Sequence, residues 1–230
     1  MPERLESYMA KHYIHRSNWL RASVLGANDG IISMASLGIG LASSGCTKES
    51  LIMSMGAGLV AGAFSMAAGE YVSVSAQTDI ENADIERESK ELLESPEQEL
   101  DILAAIYESR GLSRATAIQV AHEMTAHNAL AAHVRDELGI NENSSANPIQ
   151  AAFASGMSFT FGGIMPTAIC LLTNVDSLVM PMYVITIFFL ALLGSISAFT
   201  GGSPIWKAII RITVWGTLAM GASAITGMAF

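Results

Sequence analysis

Charge is scarce in this sequence of 230 residues. Asp, Glu, Lys and Arg make up 14% of the chain, whereas a typical soluble domain carries about 25%. Hydrophobic residues reach 51%, and the mean hydropathy is +0.41. The charged residues crowd into positions 1–21 and 79–142. This distribution excludes an ordinary soluble domain and indicates a membrane protein with a polar insertion.

Signatures of several other protein classes are missing. Cys46 and Cys170 have neither CxxC nor Cys–His spacing, which argues against a cysteine-based zinc or redox centre. There is no phosphate-binding glycine loop, Walker motif or nucleophile with a base, so we expect neither an ATP-driven pump nor an enzyme, and no permanently bound cofactor. The net charge of −9 argues against nucleic acid as a partner. The polar N-terminus lacks a signal-peptide pattern, so we expect no cleaved leader.

Five segments are apolar enough to cross a bilayer, which takes about 20 residues. We predict an all-α membrane protein with spans at about 20–42, 51–74, 151–172, 178–199 and 205–230. This divides the chain into residues 1–75 with two spans, a helical metal-binding domain at 76–147, and residues 148–230 with three spans.

The positive charges predict the orientation, because Lys and Arg in short loops favour the cytoplasmic side. Arg4, Lys11, Arg16 and Arg21 lie before or at the start of the first span. Lys207 and Arg211 lie beside the loop between the last two spans, whereas the loop at 43–50 holds only Lys48. We therefore expect a cytoplasmic N-terminus, an external C-terminus and a cytoplasmic 76–147. The short loops favour a bacterial inner membrane, with a vacuolar membrane as the alternative in a eukaryote.

The predicted cytoplasmic segment contains the start and stop signals of three helices. No Gly or Pro separates Tyr71 from Ser95, so the second span should continue as a helix beyond the membrane. Ser95-Pro96-Glu97-Gln98 predicts a capped helix that ends at Gly111, and Ser113 predicts the start of another that ends at Gly139. We expect a three-helix bundle, followed by a polar linker at 141–147. One face of the last helix should be apolar and include Val120, Met124, His127, Ala131, Val134 and Leu138.

A stripe of potential metal ligands follows the second span. At 100° per residue the stripe is about 80° wide and contains Met66, Glu70, Gln77, Glu81, Asp84, Glu88 and Glu91. Like charges at this spacing destabilise a helix unless a cation neutralises them. The stripe therefore predicts a cation-binding surface, and the alternative is a solvated acidic face.

Two carboxylates fall inside predicted spans. Asp29 and Glu70 have no basic residue within their own spans, and buried carboxylates in membranes typically serve ion pathways or proton relays. The alternative places both near the cytoplasmic interface. Met66 lies one turn from Glu70, and its thioether would favour a transition metal over Mg²⁺ or Ca²⁺, although packing is the simpler explanation.

The last cytoplasmic helix offers a second type of ligand. Glu123 and His127 are four residues apart, and His133 and Glu137 repeat this spacing on a flank of the helix. Carboxylates with one imidazole suit Fe²⁺, Mn²⁺ or Zn²⁺. A structural role for a single core histidine is the alternative.

Several stretches resemble the vacuolar iron transporter family. LRASVLGANDGIISMASLGIG is similar to its first span, and MAAGEYVSVSAQTDIENADIERE to its second span and acidic extension. AHNALAAHVRDELGI and NPIQAAFASGMSFTFGGIMP resemble the end of its cytoplasmic domain and its third span. The resemblance extends over nearly the whole chain, and Asn128 departs from it, because an Asp is expected there.

The resemblance implies a homodimer with five membrane helices per subunit and a pathway at the dimer interface. It implies export of Fe²⁺, with Mn²⁺ as a second substrate, from the cytosol in exchange for protons. It assigns the pathway to Asp29, Met66 and Glu70, and the cytoplasmic metal site to Glu81 and Asp84 with Glu88 and Glu137. On the middle cytoplasmic helix, Glu99 and Glu108 are the candidates.

The sequence therefore predicts a proton-coupled antiporter for divalent metal that serves iron homeostasis. Its predicted cytoplasmic ligands are Glu81, Asp84, Glu88, Glu91, Glu123, His127 and Glu137. One alternative is a membrane-anchored metal buffer or sensor without transport, and another is a membrane-bound di-iron oxidase.

Overall fold

The computed structural model of the protein describes residues 17–140 and 147–230, and all regular secondary structure in these ranges is helical. The helices are α1 (Ser17–Ser43), α2 (Lys48–Glu94), α3 (Pro96–Ser109), α4 (Arg114–Asp136), α5 (Pro148–Leu172), α6 (Val179–Gly201) and α7 (Ile205–Ala229), with a 3₁₀ turn at Val175–Ser177. Most of the predicted linker, residues 141–146, lies outside the described residues.

Five of these helices, α1, α2, α5, α6 and α7, are long and apolar enough to cross a membrane. The prediction of five apolar helices of membrane-spanning length is confirmed. Positive-φ glycines mark several boundaries: Gly45 lies between α1 and α2, Gly111 between α3 and α4, and Gly202 after α6. These conformations carry no steric cost for glycine, which explains why the helices end there.

Helix α2 runs unbroken for 47 residues, from Lys48 to Glu94. It passes Gln77 without interruption, as the absence of Gly and Pro beyond Tyr71 predicts. The helix ends immediately before Pro96, because proline disfavours helical backbone in the residue that precedes it. The predicted stripe of ligands therefore lies on one regular helix.

The chain divides into two compact units, one of Met1–Val72 with Asn147–Phe230 and the other of Ser73–Ala146. In the first unit, α1 packs closely against α5. A Cβ added to Gly30 would lie 2.1 Å from the carbonyl oxygen of Phe159, and one added to Gly162 would lie 2.2 Å from that of Ala27. Small residues of this kind let membrane helices approach backbone to backbone.

Methionines are prominent in the core of the first unit. Met34, Met55, Met182 and Met220 are buried around Phe159. Lipid tails are as apolar as these side chains, so the packing is stabilised by dispersion contacts and close fit. The flexible thioethers fill the irregular spaces between helices of different tilt.

The apolar core of the second unit is contributed by α3 and α4, through Leu103, Ala104, Tyr107, Ala117, Ala121 and Ala132. At the start of α4, the Ser113 hydroxyl accepts a hydrogen bond from the backbone N–H of Thr116, which confirms the predicted cap. Ser95 occupies the predicted N-cap position of α3, but the predicted side-chain cap is wrong, because Ser95 makes no capping hydrogen bond. Pro96, which has no N–H, opens α3 as predicted.

Helix α4 is interrupted at Asn128, whose backbone is extended (φ −164°, ψ 97°). The Asn128 side-chain oxygen accepts a hydrogen bond from the N–H of Ala131 at 3.1 Å and so caps the second half of the helix. This break changes the helical phase of the residues that follow it. The prediction that His127 faces the interior is wrong, because the first half of α4 buries Ala117 and Ala121, and His127 lies about 80–120° around the helix from them. His127 is exposed, whereas Ala132 and His133 are buried.

Candidate metal centres

Four side chains of the second unit bring ligand atoms together. One atom each from Glu88, Glu99, His133 and Glu137 lies within 4.8 Å of the other three. We call this group the Glu₃His cluster. Two ligands on opposite sides of an ion at about 2.1 Å would lie about 4.2 Å apart, so small side-chain movements would let all four bind one metal ion.

Three helices position these ligands. Glu88 lies near the end of α2, Glu99 in the first turn of α3, His133 in the last turn of α4, and Glu137 directly after it. His133 is fully buried, and Glu88 and Glu99 are 2% and 5% exposed. Charged side chains are almost never this buried unless they are paired or coordinate a metal ion.

The His133 ring nitrogen Nδ1 is the centre of the cluster. It lies 2.8 Å from Glu137 Oε2, 2.9 Å from Glu88 Oε1 and 4.0 Å from Glu99 Oε2. Only the contact with Glu137 has hydrogen-bond geometry, and Glu88 Oε1 has no hydrogen-bond partner in the described part of the chain. One proton on Nδ1 cannot satisfy two carboxylates, whereas one cation could bind all of them.

Burial and mutual repulsion perturb the carboxyl groups. Desolvation raises the pKa of Glu88, and the neighbouring charge of Glu137 raises it further, while His133 opposes the shift. Desolvation and the charge of Glu137 likewise raise the pKa of Glu99. Both groups therefore bind protons more readily than an exposed glutamate does, and a bound metal ion would displace those protons.

A hydrogen-bond network around Asp136 anchors the end of α4 beside the cluster. The carboxylate accepts hydrogen bonds from Tyr107 Oη (2.8 Å), Arg110 Nη1 (2.6 Å) and Arg135 Nη2 (2.7 Å). Burial alone would raise the pKa of Asp136, but the hydrogen bonds from Arg135, Arg110 and Tyr107 outweigh it and lower the pKa to about 2. Because Tyr107 belongs to α3 and Arg110 directly follows it, the network ties α3 to the segment that carries His133 and Glu137.

The donor set of the Glu₃His cluster is one imidazole nitrogen with carboxylate oxygens. This combination suits Fe²⁺, Mn²⁺ or Zn²⁺, whereas Ca²⁺ and Mg²⁺ are held by oxygen ligands alone. No thiolate takes part. The arrangement can therefore bind a divalent transition metal ion from water.

Other predicted ligands lie outside the cluster and have local partners. Glu81 accepts a hydrogen bond from Gln77 at 2.9 Å. Arg87 lies 3.3 Å from Asp84 and 3.9 Å from Glu91. Of the carboxylates in the predicted stripe, only Glu88 is buried.

Glu123 and His127 are both exposed on the first half of α4, and Gln119 donates a hydrogen bond to Glu123 at 3.0 Å. Neither belongs to the Glu₃His cluster. Roles for these two residues and for Glu81, Asp84 and Glu91 in metal binding stay predictions.

The first unit has a second candidate site, a cavity of about 220 Å³ lined by α1, α2 and Phe159 of α5. Asp29 and Met66 both line it, and Ser33 Oγ donates a hydrogen bond to Asp29 Oδ1 at 2.5 Å. Glu70 is one turn beyond Met66 on α2 but is not among the lining residues. The volume accommodates a cation with several waters, because a water occupies about 30 Å³.

Sequence patterns alone did not select His133 and Glu99, two members of the Glu₃His cluster. The i,i+4 spacing of His133 and Glu137 pointed to this pair, but a continuous helix put it on a flank and favoured His127. The signal in the sequence was Asn128 itself, because asparagine is favoured at helix N-caps and unfavourable in helix interiors. Glu99 lies in the first turn after Pro96, where an acidic residue is common for reasons of helix stability.

Comparison with known proteins completes the description. The model of the VIT family matches residues 20–228. A vacuolar iron transporter of Acanthamoeba castellanii is 40% identical over 91% of this chain and 78% of its own length. Vacuolar iron transporter homolog 1 of Oryza sativa subsp. japonica is 34% identical, over 91% and 72% of the two chains. Vacuolar iron transporter homolog 2 of Arabidopsis thaliana is 32% identical, over 90% and 82%.

Proposed function

Because this chain belongs to the VIT family, a match that extends across all five apolar helices, we propose that it carries a divalent transition metal ion across a membrane. Fe²⁺ is the first substrate and Mn²⁺ the second. The observation that carries the proposal is the Glu₃His cluster, where three carboxylates and one imidazole converge within 4.8 Å and every member except Glu137 is buried. The protein acts as a transporter and has no enzymatic role.

The Glu₃His cluster binds the metal before transport. With His133 neutral and the carboxyl groups ionised, its net charge would be −3, which is costly in a buried site without a cation. A divalent ion removes most of that charge and at the same time satisfies Glu88 Oε1, which lacks a hydrogen bond among the described atoms. Binding is therefore favoured by relief of repulsion as well as by the metal–ligand bonds.

Asp29 and Met66 form the transport site in the cavity of the first unit, and Glu70 lies one turn further along the pathway. The hydrogen bond from Ser33 Oγ holds the Asp29 carboxylate in place at the cavity. The carboxylates release protons when metal binds and take them up when metal leaves, so a proton gradient drives export of metal from the cytosol.

The transporter works as a homodimer. In the most apolar stretch of 18 residues of α2, only 11% is buried within one chain, compared with 44% in the corresponding stretch of α5. The exposed large side chains of α2 include Met53, Val60 and Phe64. A second copy packed on this face would cover the α2 side of the Asp29 cavity and place the metal pathway between the two subunits.

The orientation follows from the positive charges, with the N-terminus and the second unit in the cytosol and the C-terminus outside. The membrane is a bacterial inner membrane or, in a eukaryote, a vacuolar one. In either case, metal leaves the cytosol for the more acidic compartment.

The test is uptake of Fe²⁺ under reducing conditions into proteoliposomes with an acidic interior and a pH-sensitive dye inside. Uptake should raise the internal pH, and Asp29→Asn and Glu70→Gln should each abolish both signals. Asp176→Asn, an exposed carboxylate outside the spans, is the control and should transport normally. Normal flux in Asp29→Asn and Glu70→Gln would refute the proposed pathway. Metal binding without flux in the parent protein would favour the buffer or sensor.

A further inference from the structure

A second and larger cavity of the first unit, of about 570 Å³, lies between α1, α6 and α7. We call it the Arg211 cleft. Its walls are mainly apolar and include Leu25, Ile32, Ile212 and Trp215. No member of either candidate metal site lines it. The proton and metal chemistry proposed above therefore gives it no role.

Two polar groups that line the Arg211 cleft, on α7 and α1, lack ionic or hydrogen-bond partners within residues 17–140 and 147–230. No carboxylate within the described ranges forms a salt bridge with Arg211, and Lys207, one turn earlier on α7, lies over the ring of Trp206 at 5.6 Å. On the opposite wall, the side-chain oxygen of Asn28 is buried and has no hydrogen-bond partner among the described residues. An unpaired cation in a membrane segment is costly, so a ligand that neutralises it is favoured.

The position of the cleft indicates which molecule can enter. The lining residues of α1 lie in its first half and middle, those of α6 toward its end and those of α7 toward its start. Arg211 is six residues into α7, about 9 Å from its first residue, a depth at which a cationic side chain still reaches the lipid headgroups. Trp206 is exposed at the start of the same helix, as expected for the membrane interface.

We propose that the Arg211 cleft binds an anionic phospholipid of the leaflet that contains the N-terminal end of α1. The phosphate pairs with Arg211 and Lys207, a headgroup hydroxyl donates to Asn28, and an acyl chain occupies the apolar walls. Basic pockets between membrane helices bind anionic lipid headgroups in this way. The inference is independent of metal transport, because it depends only on the shape and charge of the cleft.

Substitution of a glycine that lines the Arg211 cleft by a larger residue can fill the cleft with an apolar side chain. Gly201 lines it, and a Cβ built on Gly201 meets no atom within 4 Å. Gly201→Leu should therefore insert apolar volume without a backbone clash. Gly221 on α7 is also open and exposed but does not line the cleft, so Gly221→Leu is a matched control.

The experiment is native mass spectrometry of the full chain, titrated with phosphatidylglycerol or phosphatidylcholine. The parent protein should bind phosphatidylglycerol at least about tenfold more tightly, which equals about 1.4 kcal/mol. Arg211→Gln should lose that preference, and Arg211→Lys should largely keep it. Gly201→Leu should weaken binding of both lipids, whereas Gly221→Leu should bind as the parent does.

Equal binding of the two lipids by the parent, or an unchanged preference in Arg211→Gln, would overturn the proposal. So would a Gly201→Leu protein that loses its dimer while its lipid binding is unchanged, since the cleft would then be a contact between copies. Because Arg211→Lys and Gly201→Leu are tested alongside, poor folding of Arg211→Gln alone leaves the inference testable.

Discussion

Glu99→Gln should change the stability of the second unit in opposite directions with and without metal. The substitution keeps the shape of the side chain and removes one charge from the Glu₃His cluster. Two unit charges separated by 4.8 Å, the outer limit between ligand atoms in the cluster, repel by about 3.5 kcal/mol at an effective dielectric constant of 20. Protonation of Glu99, whose pKa is raised, relieves part of this repulsion. We expect a gain of about 1 to 3 kcal/mol for the metal-free protein.

The metal-bound state should respond the other way. A metal ion at a hundred times its dissociation constant stabilises the folded state by about 2.7 kcal/mol. The parent protein should gain this amount, whereas Glu99→Gln, which offers only a weak amide oxygen in place of a carboxylate, should gain little. The order of stability of the two proteins should therefore reverse when Mn²⁺ is added.

Hydrogen exchange of α3 and α4 measures this locally, because global unfolding of a two-unit membrane protein need not be two-state. Without metal, exchange of these amides should be about tenfold slower in Glu99→Gln for each 1.4 kcal/mol gained. Glu97→Gln is the control, because Glu97 lies in the same first turn, is exposed and is not in the cluster. Both changes remove a charge that favours the helix N-terminus, so the comparison isolates the cluster.

One result would refute the reasoning. If metal-free Glu99→Gln exchanges faster than the parent by more than Glu97→Gln does, Glu99 is stabilising the folded state. The cluster would then be an ion-pair network around a protonated His133, and its convergence would be no evidence for a metal site.

Three further predictions follow from the two units. Asp136→Asn should destabilise the second unit by about 2 kcal/mol at pH 7, because the folded-state pKa of Asp136, about 2, lies below the unfolded value. The difference in stability between the variant and the parent should shrink as the pH falls from about 5 toward 2. Hydrogen exchange measures this difference, with Asp101→Asn, at an exposed carboxylate, as the control. Because the pKa values of Glu88 and Glu99 are raised, Mn²⁺ binding should release protons and should tighten as the pH rises above the ordinary carboxyl range. The metal-free second unit should lose stability over the same pH range. Calorimetry in two buffers of different ionisation enthalpy measures the released protons, and a pH-independent affinity for Mn²⁺ would contradict the assignment. Gly30→Ala should cost about 1 to 3 kcal/mol, because its Cβ would meet the Phe159 carbonyl oxygen, whereas Gly221→Ala has open space; the melting temperatures in detergent should separate the two variants.

The sequence was sufficient for the membrane architecture because long apolar runs have few alternatives. The five spans, the unbroken helix through Gln77 and the cap at Ser113 all follow from composition and local hydrogen bonding. The types of side chain at the candidate site were also readable, since His133 and Glu137, four residues apart, are both in the Glu₃His cluster.

The identity of the clustered ligands was readable only in part, because Glu88 and Glu137 were predicted but His133 and Glu99 were not selected. The burial of His133 depends on the helical phase beyond Asn128, where a single extended residue changes the direction in which the following side chains point. Glu99 depends on the packing of α3 against α4, a tertiary contact that no local pattern specifies. Sequence periodicity fails wherever one residue resets the helical phase.

The break at Asn128 has a consequence for how such a protein can diversify. The residues after Asn128 form the short second half of α4, which carries His133 and is followed directly by Glu137. The side-chain hydrogen bond of Asn128 caps the start of this half and so helps to fix its rotation about the helix axis. A helix-favouring residue at Asn128 would rotate both ligands together and leave their identities unchanged. Metal preference could therefore drift through a position that never touches the ion.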